Sequence, residues 1–351
     1  MSRNRRMQLA FTAAIAVCAG GLLCGCARKG DSAQRGFTIG VSNGWVGSEW
    51  RSQMVANVLA VAEEYKQEGL VKDVKVQSTD VDIQGQIGQI KNFISLGVDA
   101  ILINPNAPAP FNPVIGEARR AGIVVIATDQ EVTSPDAVNV VIDQREWARI
   151  SARWLAKKLN YKGKLVCING MAGHPANEAR VRGYHDVFDQ HKELKILNET
   201  NANWDQALGQ QTMNTLLATY PDLDGVWVQD GMAEGALRAL LAANRKDVLI
   251  TGEARVGYLK LWKEAGIDGI GVANPPGCMA SALRVALQML RGKQLKPDTL
   301  GGEHRNTIYV PVPCVITNEN FDEYYAKCSG KPDHFAIDGW ITEAEAAAFF
   351  E

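Results

Sequence analysis

The 351-residue chain lacks several features that would point to catalysis or to nucleic acid. Its formal net charge is only −2, so it has no basic excess with which to bind a polyanion. No G-x-G-x-x-G or G-x-x-x-x-G-K-[ST] motif follows the first predicted strand, which argues against a nucleotide-binding enzyme. Its five histidines lack the spacing of metal ligands, and its carboxylates have no matching nucleophile. We therefore expect no enzyme activity, no cofactor, no metal and no nucleic-acid partner.

Long hydrophobic runs are also missing beyond the N-terminus. The N-terminus has three arginines among its first six residues, followed by an apolar run at about 9–23 that is short for a spanning helix. This run ends in Leu23-Cys24-Gly25-Cys26, which resembles the lipobox of bacterial lipoproteins, where the last cysteine is acylated. We predict a lipoprotein signal peptide over residues 1–25, lipidation of Cys26 and a tether over 26–36. The alternative is an ordinary secretory signal.

Few cysteines remain after this segment. Cys314 and Cys328 lie close together in a polar C-terminal segment, and an oxidising compartment would permit a disulfide between them. The sequence leaves open whether they pair. Cys167 lies in an apolar strand and is expected in the core, whereas Cys278 has no evident partner.

From Phe37 onwards two hydrophobic patterns alternate. Short continuous apolar runs predict buried parallel strands, and stretches with apolar residues every three or four positions predict helices. The strands are predicted at about 38–41, 74–76, 100–103, 123–127, 165–168, 195–197, 225–228 and 248–251. The alternation occurs in two rounds, and the chain exceeds what one core usually serves. We therefore predict two α/β lobes, each with a parallel sheet covered by helices.

Polar or turn-forming residues follow most of these strands and one later apolar segment. In open parallel sheets, ligands bind beyond the carboxyl ends of the strands. The segments are Ser42-Asn43-Gly44-Trp45, Asn104-Pro105-Asn106, Thr128-Asp129-Gln130, Asn169-Gly170, Gln229-Asp230-Gly231, Gly252-Glu253-Ala254-Arg255 and Asn274-Pro275-Pro276. Together they predict one polar cleft.

Four motifs carry a resemblance to a known family. They are Gly47-Ser48-Glu49-Trp50-Arg51, Gly97-Val98-Asp99-Ala100-Ile101 with Asn104-Pro105, Arg180-Val181-Arg182-Gly183-Tyr184, and residues 233–241. In this order and spacing, the chain resembles the type I periplasmic binding proteins of ABC sugar importers, the group that contains the ribose- and galactofuranose-binding proteins. The resemblance runs from about Phe37 to Val315.

The resemblance implies a definite architecture. It implies two doubly wound, Rossmann-like α/β lobes joined by a three-strand hinge, with crossings near Ile142, Asn274 and Tyr309. The N-terminal lobe would hold residues 37–142 plus 275–308. The C-terminal lobe would hold residues 143–274 plus 309–351, including a C-terminal extension.

The resemblance also implies a sugar site at the strand ends. Arg51 and Arg180 would donate paired hydrogen bonds to sugar oxygens, while Asp129 and Asp230 would accept from hydroxyl groups. Simpler interpretations are a solvated side chain for Arg51, an internal salt bridge for Arg180 and a helix cap for Asp129. The other implied ligand-binding residues are Trp45, Glu49, Trp50, Asn104, Gln130, Trp204, Glu253 and Asn274. The tryptophans would stack on apolar sugar faces, although a tryptophan on an apolar face is more often part of the core.

Two positions depart from the family pattern. Gln130 stands where the family often has arginine, so a charged donor is missing. Ala254 stands where ribose binders have an acid, so either Glu253 takes over or the contact is lost, and this puts ribose in doubt. The run Glu49-Trp50-Arg51 favours a furanose or a branched polyol.

The function implied is that of an extracytoplasmic solute-binding component of an ABC importer. It would capture a monosaccharide (furanose, pentose or hexose) or polyol by hinge closure, and its partner would be the permease. We expect a monomer in the periplasm or cell envelope, touching the membrane only through its lipid anchor. The alternative is a receptor that uses the same cleft to report a sugar-like signal to a sensor kinase or chemoreceptor.

Overall fold

The structure is a computed structural model that describes residues 36–351. The strands are β1 (Phe37–Asn43), β2 (Val71–Ser78), β3 (Ala100–Asn104), β4 (Val124–Thr128), β5 (Val138–Ile142), β6 (Gly163–Asn169), β7 (Leu194–Asn201), β8 (Gly225–Val228), β9 (Leu249–Glu253), β10 (Gly269–Val272), β11 (Thr307–Val310) and β12 (Val315–Thr317). The helices are α1 (Glu49–Gln67), α2 (Ile83–Leu96), α3 (Asn112–Arg120), α4 (Gln144–Lys158), α5 (Pro175–Phe188), α6 (Gln206–Thr219), α7 (Met232–Ala242), α8 (Val256–Ala265), α9 (Cys278–Leu290), α10 (Phe321–Lys327) and α11 (Glu343–Ala348). The predicted signal peptide, Cys26 and nearly all of the tether lie outside the described residues.

The described strands form two six-stranded sheets. The first has the order β11-β5-β4-β3-β1-β2 and is parallel throughout. The second has the order β12-β10-β9-β8-β6-β7, and its edge strand β12 runs antiparallel to β10. Each sheet is the centre of one lobe. The predicted fold of two doubly wound α/β lobes is confirmed.

Strand β3 shows why the strands read as continuous apolar runs. Successive side chains of a strand point to opposite faces of the sheet. Leu102 packs into the core that α1 and α9 form on one face, whereas Ile101 and Ile103 pack into the core of α2 and α3 on the other. Because helices cover both faces, every residue of β3 is buried. Burying each large aliphatic side chain contributes about 1.5–3 kcal/mol of transfer free energy.

Helix α2 shows how the sequence defines the ends of a helix. The Asp82 side chain accepts a hydrogen bond from the Gly85 amide at 2.8 Å, which satisfies a donor that the helix itself leaves free. At the other end, Gly97 adopts the left-handed conformation with φ of 63°, which glycine tolerates without a steric cost. These two residues place the polar loops before and after α2.

The chain passes between the sheets after β5, β10 and β11. Helix α4 packs against β8, β9 and β10 of the second sheet, and α9 packs against β3, β4 and β5 of the first. Tyr309, predicted as the third crossing, lies inside β11, and its hydroxyl donates to Glu131 at 3.1 Å. The crossing therefore lies further along, between Val310 and Val315.

The end of the chain does not stay with the second lobe as predicted. Asp338 accepts a hydrogen bond from the Gly277 amide at 2.7 Å, beside the start of α9. Helix α11 packs against α9, and Glu343 accepts from Gln288 and Arg291 at 2.8 and 2.7 Å. The predicted assignment of residues 309–351 to the C-terminal lobe is therefore wrong for residues 338–351. The reason is that the buried side chains of this stretch complete the core of the first lobe.

The disulfide between Cys314 and Cys328, which the sequence left open, is not formed in the described residues. Cys167, Cys278, Cys314 and Cys328 are all free and buried. The thiol of Cys328 donates to the Tyr324 carbonyl at 3.2 Å instead of bonding to Cys314.

Two further features are absent from residues 36–351. None of the helices there combines the length and the apolar character required for a transmembrane span. The same residues contain no cluster of histidine, cysteine and carboxylate side chains arranged to hold a metal ion.

Candidate functional site

A deep cleft opens where the carboxyl ends of both sheets face each other. Its volume is about 1290 Å³. Residues that follow β1–β4 line it from the first lobe, and residues that follow β6–β9 line it from the second, with Asn274 beyond β10 at the hinge. The polar strand ends of both lobes therefore face one space.

Most of the residues predicted to bind a ligand line this cleft. They are Trp45, Glu49, Trp50, Arg51, Asp129, Gln130, Arg180, Trp204, Asp230 and Asn274.

Asn104 and Glu253 do not line the cleft. Asn104 is fully buried, and its side-chain amide donates to Asp129 at 3.3 Å. Glu253 is 1% exposed and lies behind Arg255. The structure does not bring either side chain to the cleft, because each is buried behind a residue that does line it, and their direct contact with a ligand stays a prediction.

Arg51 and Asp129 form the charged centre of the first lobe's wall. Arg51 donates to Asn43 at 2.9 Å, lies 4.0 Å from the Asp129 carboxylate and packs over the Trp45 ring at 5.4 Å. Burial lowers the pKa of Arg51 and raises the pKa of Asp129, and the attraction between them opposes both changes. Beside them, the buried Oε1 of Gln130 has no hydrogen-bond partner among residues 36–351. This wall thus presents a cation, an acid and an unused acceptor.

Arg180 and Asp230 form the matching centre in the second lobe. Arg180 donates to Asp230 and to Gln144, both at 2.8 Å, and its guanidinium lies 4.4 Å from the centre of the Trp147 ring. The side chain of Arg180 is only 2% exposed, so ring and amide fix its orientation. Arg180 does form the internal salt bridge that the simpler interpretation expected. Both partners of this salt bridge also line the cleft.

A third pair, Arg255 and Glu253, was missed as a unit by sequence reasoning. The Nε atom of Arg255 donates to Glu253 at 2.5 Å, and Arg255 lines the cleft. Burial raises the pKa of Glu253 to about 7, and the neighbouring guanidinium opposes this increase. Ala254 is fully buried. At the strand end where ribose binders have an acid, this chain therefore presents Arg255 to the cleft, and Glu253 holds its guanidinium.

Trp204 and His174 form an aromatic corner of the second lobe. The two rings meet edge to face at 4.6 Å, and the Trp204 indole donates to Gln229 at 2.9 Å. The Nδ1 atom of His174 accepts from the Ala176 amide, which leaves Nε2 to carry the proton of the neutral ring. Burial, together with the positive charges of Arg180 and Arg51, lowers the pKa of His174 to about 4. His174 is therefore a neutral hydrogen-bond donor at the cleft.

Trp50 serves the hinge as well as the cleft. Its indole Nε1 donates to the carbonyl of Asn274 at 2.8 Å, and its ring belongs to the core of the first lobe. Only its edge reaches the cleft, since 6% of the residue is exposed. Trp50 therefore does not present the free face that stacking on a sugar requires.

Among residues 36–351, four of the eight non-glycine residues with positive φ lie at this cleft. Asp129, Asp230, Asn203 and Trp204 have φ values of 65°, 48°, 55° and 59°. Non-glycine residues seldom adopt this left-handed conformation, and where they do, it commonly aims a side chain at a functional site. Here the strain turns two acids and one indole towards the cleft.

Other lining residues were not named as ligand-binding from the sequence, although Asn106 and Arg255 belong to the strand-end segments that predicted the cleft. They are Asp80, Asp82, Asn106, His174, Asp205, Glu234, Arg238, Arg255, Asp333 and His334. Several directly follow a strand, so extending each strand-end motif by a few residues would have found them. Asp333 and His334 come from the C-terminal extension, and no local pattern connects them with the cleft.

Comparison with known proteins assigns this chain to a family. Residues 39–294 match the family described as periplasmic binding protein domain. The chain is 29% identical over 249 residues to the xylitol-binding protein of Mycolicibacterium smegmatis, which covers 70% of this chain and 68% of that protein. It is 26% identical over 263 residues to the ribose import binding protein of Bacillus subtilis, covering 74% and 84%.

Solved structures agree with this match. An ABC transporter solute-binding protein of Bacillus halodurans with bound myo-inositol superposes with a TM-score of 0.70 at 26% identity, covering 85% of this chain and 99% of that one. A solute-binding protein of Thermobispora bispora gives a TM-score of 0.74 at 24% identity, covering 89% and 94%. With its two hinged sheets and the cleft between them, this chain belongs to the periplasmic binding protein family.

Proposed function

We propose that this protein captures an uncharged monosaccharide or polyol in the cleft and delivers it to an ABC permease. The observation that carries the proposal is the set of three arginine–carboxylate pairs around one cleft: Arg51 with Asp129, Arg180 with Asp230, and Arg255 with Glu253. Each arginine is already paired with an acid, and the cleft is lined by eight acids but only four arginines, so its described residues leave no unmatched cation available to an anion. Such a wall favours a neutral ligand over an anion.

The same groups suit a ligand rich in hydroxyls. A hydroxyl group both donates and accepts, whereas a guanidinium only donates and a carboxylate only accepts. Hydrogen bonds to charged groups are stronger than those between neutral ones. Trp45 and Trp204, both partly exposed at the cleft, add flat apolar surface for the C–H faces of a sugar ring.

The relatives support this ligand class. The matched proteins are named for xylitol and ribose, and the solved neighbour holds myo-inositol. All three compounds are neutral and rich in hydroxyl groups, which agrees with a wall that offers no unmatched cation to an anion.

The proposed mechanism is hinge closure. Arg51 and Asp129 belong to one lobe and Arg180 and Asp230 to the other, so a bound sugar is held by both lobes only when they approach each other. The ligand then stabilises the closed form by its greater affinity for that form. The permease would recognise the closed form and receive the sugar when the lobes reopen. This scheme includes no chemical step, so we propose a binding protein and not an enzyme.

A screen of ligands tests the proposal directly. The unfolding temperature is measured with pentoses, hexoses, furanoses and polyols, including ribose, xylitol and myo-inositol, because a ligand that binds the folded state raises it. At least one neutral sugar or polyol should do so. Stabilisation only by a charged metabolite, such as a sugar phosphate or an amino acid, would overturn the proposal.

We also propose a lipid anchor at Cys26, outside the cytoplasm. The family is extracytoplasmic, and Leu23-Cys24-Gly25-Cys26 suits acylation of its last cysteine. We propose in addition that the protein is a monomer. Labelling of an expressing bacterium with a fatty-acid probe should mark the protein but not its Cys26→Ala variant, and equal labelling of both would contradict the anchor.

A further inference from the structure

The C-terminal segment contains a short stretch that touches both lobes. We call residues 332–338 the strap. Two of its residues, Asp333 and His334, line the cleft, although the family match ends at residue 294. We propose that the strap is a working part of the ligand site, in which Gln53 acts through Ala336 as a positioning residue for Arg255. Only the ligand-affinity part of its test rests on the proposed function, and the hydrogen-exchange part does not.

The strap binds the second lobe at the start of α8. The amides of Val256 and Gly257 donate to the carbonyls of Phe335 and Asp333 at 3.0 and 2.9 Å, and the Ile337 amide donates to a carbonyl just before α8 at 2.7 Å. The first amides of a helix lack partners within the helix, and the residue that precedes α8 caps none of them with its side chain. The strap therefore supplies the cap of α8.

The residue just before these capped amides, Arg255, enters the cleft. Arg255 forms an antiparallel bridge with Ala336 of the strap, which fixes its backbone. Its guanidinium lies over Gly231, where an added β-carbon would come within 2.9 Å of Nη1. Its Nε is occupied by Glu253, so the outer edge of the guanidinium faces the cleft. The direction of this side chain thus depends on the backbone that the strap holds.

The strap is also fixed to the first lobe through α1. The side-chain amide of Gln53 donates to the Ala336 carbonyl at 2.9 Å and accepts from the Ala336 amide at 3.1 Å. Gln53 also donates to Asp338 at 3.1 Å. Ala336 is therefore bonded to the first lobe through Gln53 and bridged to Arg255 of the second.

The arrangement couples two helix starts that border the cleft. Helix α1 begins with Glu49, Trp50 and Arg51, all lining residues, and α8 begins directly after Arg255. The connection between them runs from Gln53 through Ala336. A substitution at Gln53 should therefore alter the position of Arg255, although Gln53 itself does not line the cleft.

The test compares Gln53→Ala with Gln67→Ala, the same substitution at an exposed position on the same helix. Hydrogen exchange of the unliganded protein is measured first. Protection of the Val256 and Gly257 amides should fall roughly tenfold in Gln53→Ala, because the strap loses its support in the first lobe, and stay unchanged in Gln67→Ala. Unchanged protection at both amides in Gln53→Ala would overturn the coupling.

Affinity is then measured with whichever of ribose, xylitol or myo-inositol binds most tightly. Gln53→Ala should weaken it about tenfold in the natural protein but less than twofold in an Arg255→Ala background, since the positioned group is then gone. Equal weakening in both backgrounds would show a general effect on the lobe and contradict the positioning role. If none of these compounds binds, the proposed function fails on its own, and the exchange measurement alone decides whether the strap couples the lobes.

Discussion

At the scale of single residues, the cleft depends on a few acids whose backbone is held in an unfavourable conformation. Asp129 and Asp230 both have positive φ. Aspartate and asparagine tolerate this conformation better than most residues. A variant intended to test their chemistry should therefore keep that tolerance, and asparagine is a better replacement than alanine.

The first prediction concerns Asp129. Replacing it with asparagine removes the charged acceptor but keeps the shape and the backbone preference. We expect sugar affinity to fall by about 10- to 100-fold, since hydrogen bonds to charged groups contribute about 1.5–3 kcal/mol. Calorimetric titration measures this, with the exposed Asp136→Asn as the control. Unchanged affinity in Asp129→Asn would remove this residue from the site.

The second prediction concerns His174 and pH. Its pKa is lowered to about 4 in the folded protein, below the ordinary value of 6.5. Between these values the unfolded chain binds a proton that the folded protein does not, so stability decreases as the pH falls from about 6.5 to about 4. His174→Gln should remove up to about 3 kcal/mol of this decrease. Urea unfolding of the unliganded protein at several pH values measures it.

The exposed His304 provides the control for that measurement. The decrease in stability on acidification should remain in His304→Gln, because this substitution leaves His174 in place. A His174→Gln variant that loses stability on acidification as steeply as the natural protein would contradict the assignment of a neutral, desolvated imidazole.

The residue scale also shows what sequence can and cannot provide. Asp129 was predicted because it directly follows a strand, whereas Arg51 and Arg180 were predicted from motifs that resemble the family. Arg255 belongs to a predicted strand-end segment and His174 lies a few residues beyond one, but their orientation depends on contacts with Ala336 and Trp204 that no local pattern encodes. Asn104 shows that a polar residue at a strand end can support a neighbour, here Asp129, instead of facing the cleft.

At the scale of elements, helix caps control where the cleft loops begin. Asp143, just before α4, accepts hydrogen bonds from the amides of Arg145 and Glu146 at 2.9 and 3.0 Å. It stands at the first passage between the lobes. The stability of α4 therefore affects the geometry of the hinge.

The third prediction compares an aspartate just before the first residue of α4 with an aspartate just after the last residue of α5. Asp143→Ala should lower the free energy of unfolding by about 1 kcal/mol, because the first amides of α4 lose their cap. Asp189→Ala, at the C-terminal end of α5, should leave stability unchanged or raise it slightly, because a negative charge is unfavourable there. Chemical denaturation measures both. Equal effects of the two substitutions would contradict the capping argument.

Most elements were predictable, and the exceptions have physical reasons. Strand β5 follows β4 without a helix between them, so the alternation that revealed the other strands is interrupted. Strand β10 reads Gly-Ile-Gly-Val, and an added β-carbon at Gly271 would lie 3.3 Å from the backbone of Ala254. Its glycines permit close approach, but they weaken the apolar signal. Edge strand β12, with three residues, is too short to show a pattern.

At the scale of the whole molecule, the two lobes share a hinge and a C-terminal segment. The hinge crossings near Ile142 and Asn274 were predictable from the family resemblance. The path of residues 332–351 was not, because their partners, such as Gln53 and Gly277, are distant in sequence. A segment without periodicity gives no indication of which lobe it joins.

The fourth prediction is compaction on binding. Saturation with a sugar from the ligand screen should reduce the radius of gyration measured by X-ray scattering, because both lobes then contact one ligand. A sugar that failed to bind in the same screen serves as the control and should cause no change. An unchanged radius at saturation would argue against hinge closure.

The buried cysteines have a practical consequence. Burial raises the pKa of Cys167 and Cys278, and that of Cys314 to about 12, so these thiols react poorly with maleimides at neutral pH. A cysteine introduced at the exposed Val46, beside the cleft, would then be the preferred attachment point for a fluorophore in a protein that starts after Cys26. Such a conjugate would turn the molecule into an optical reporter of its own solute.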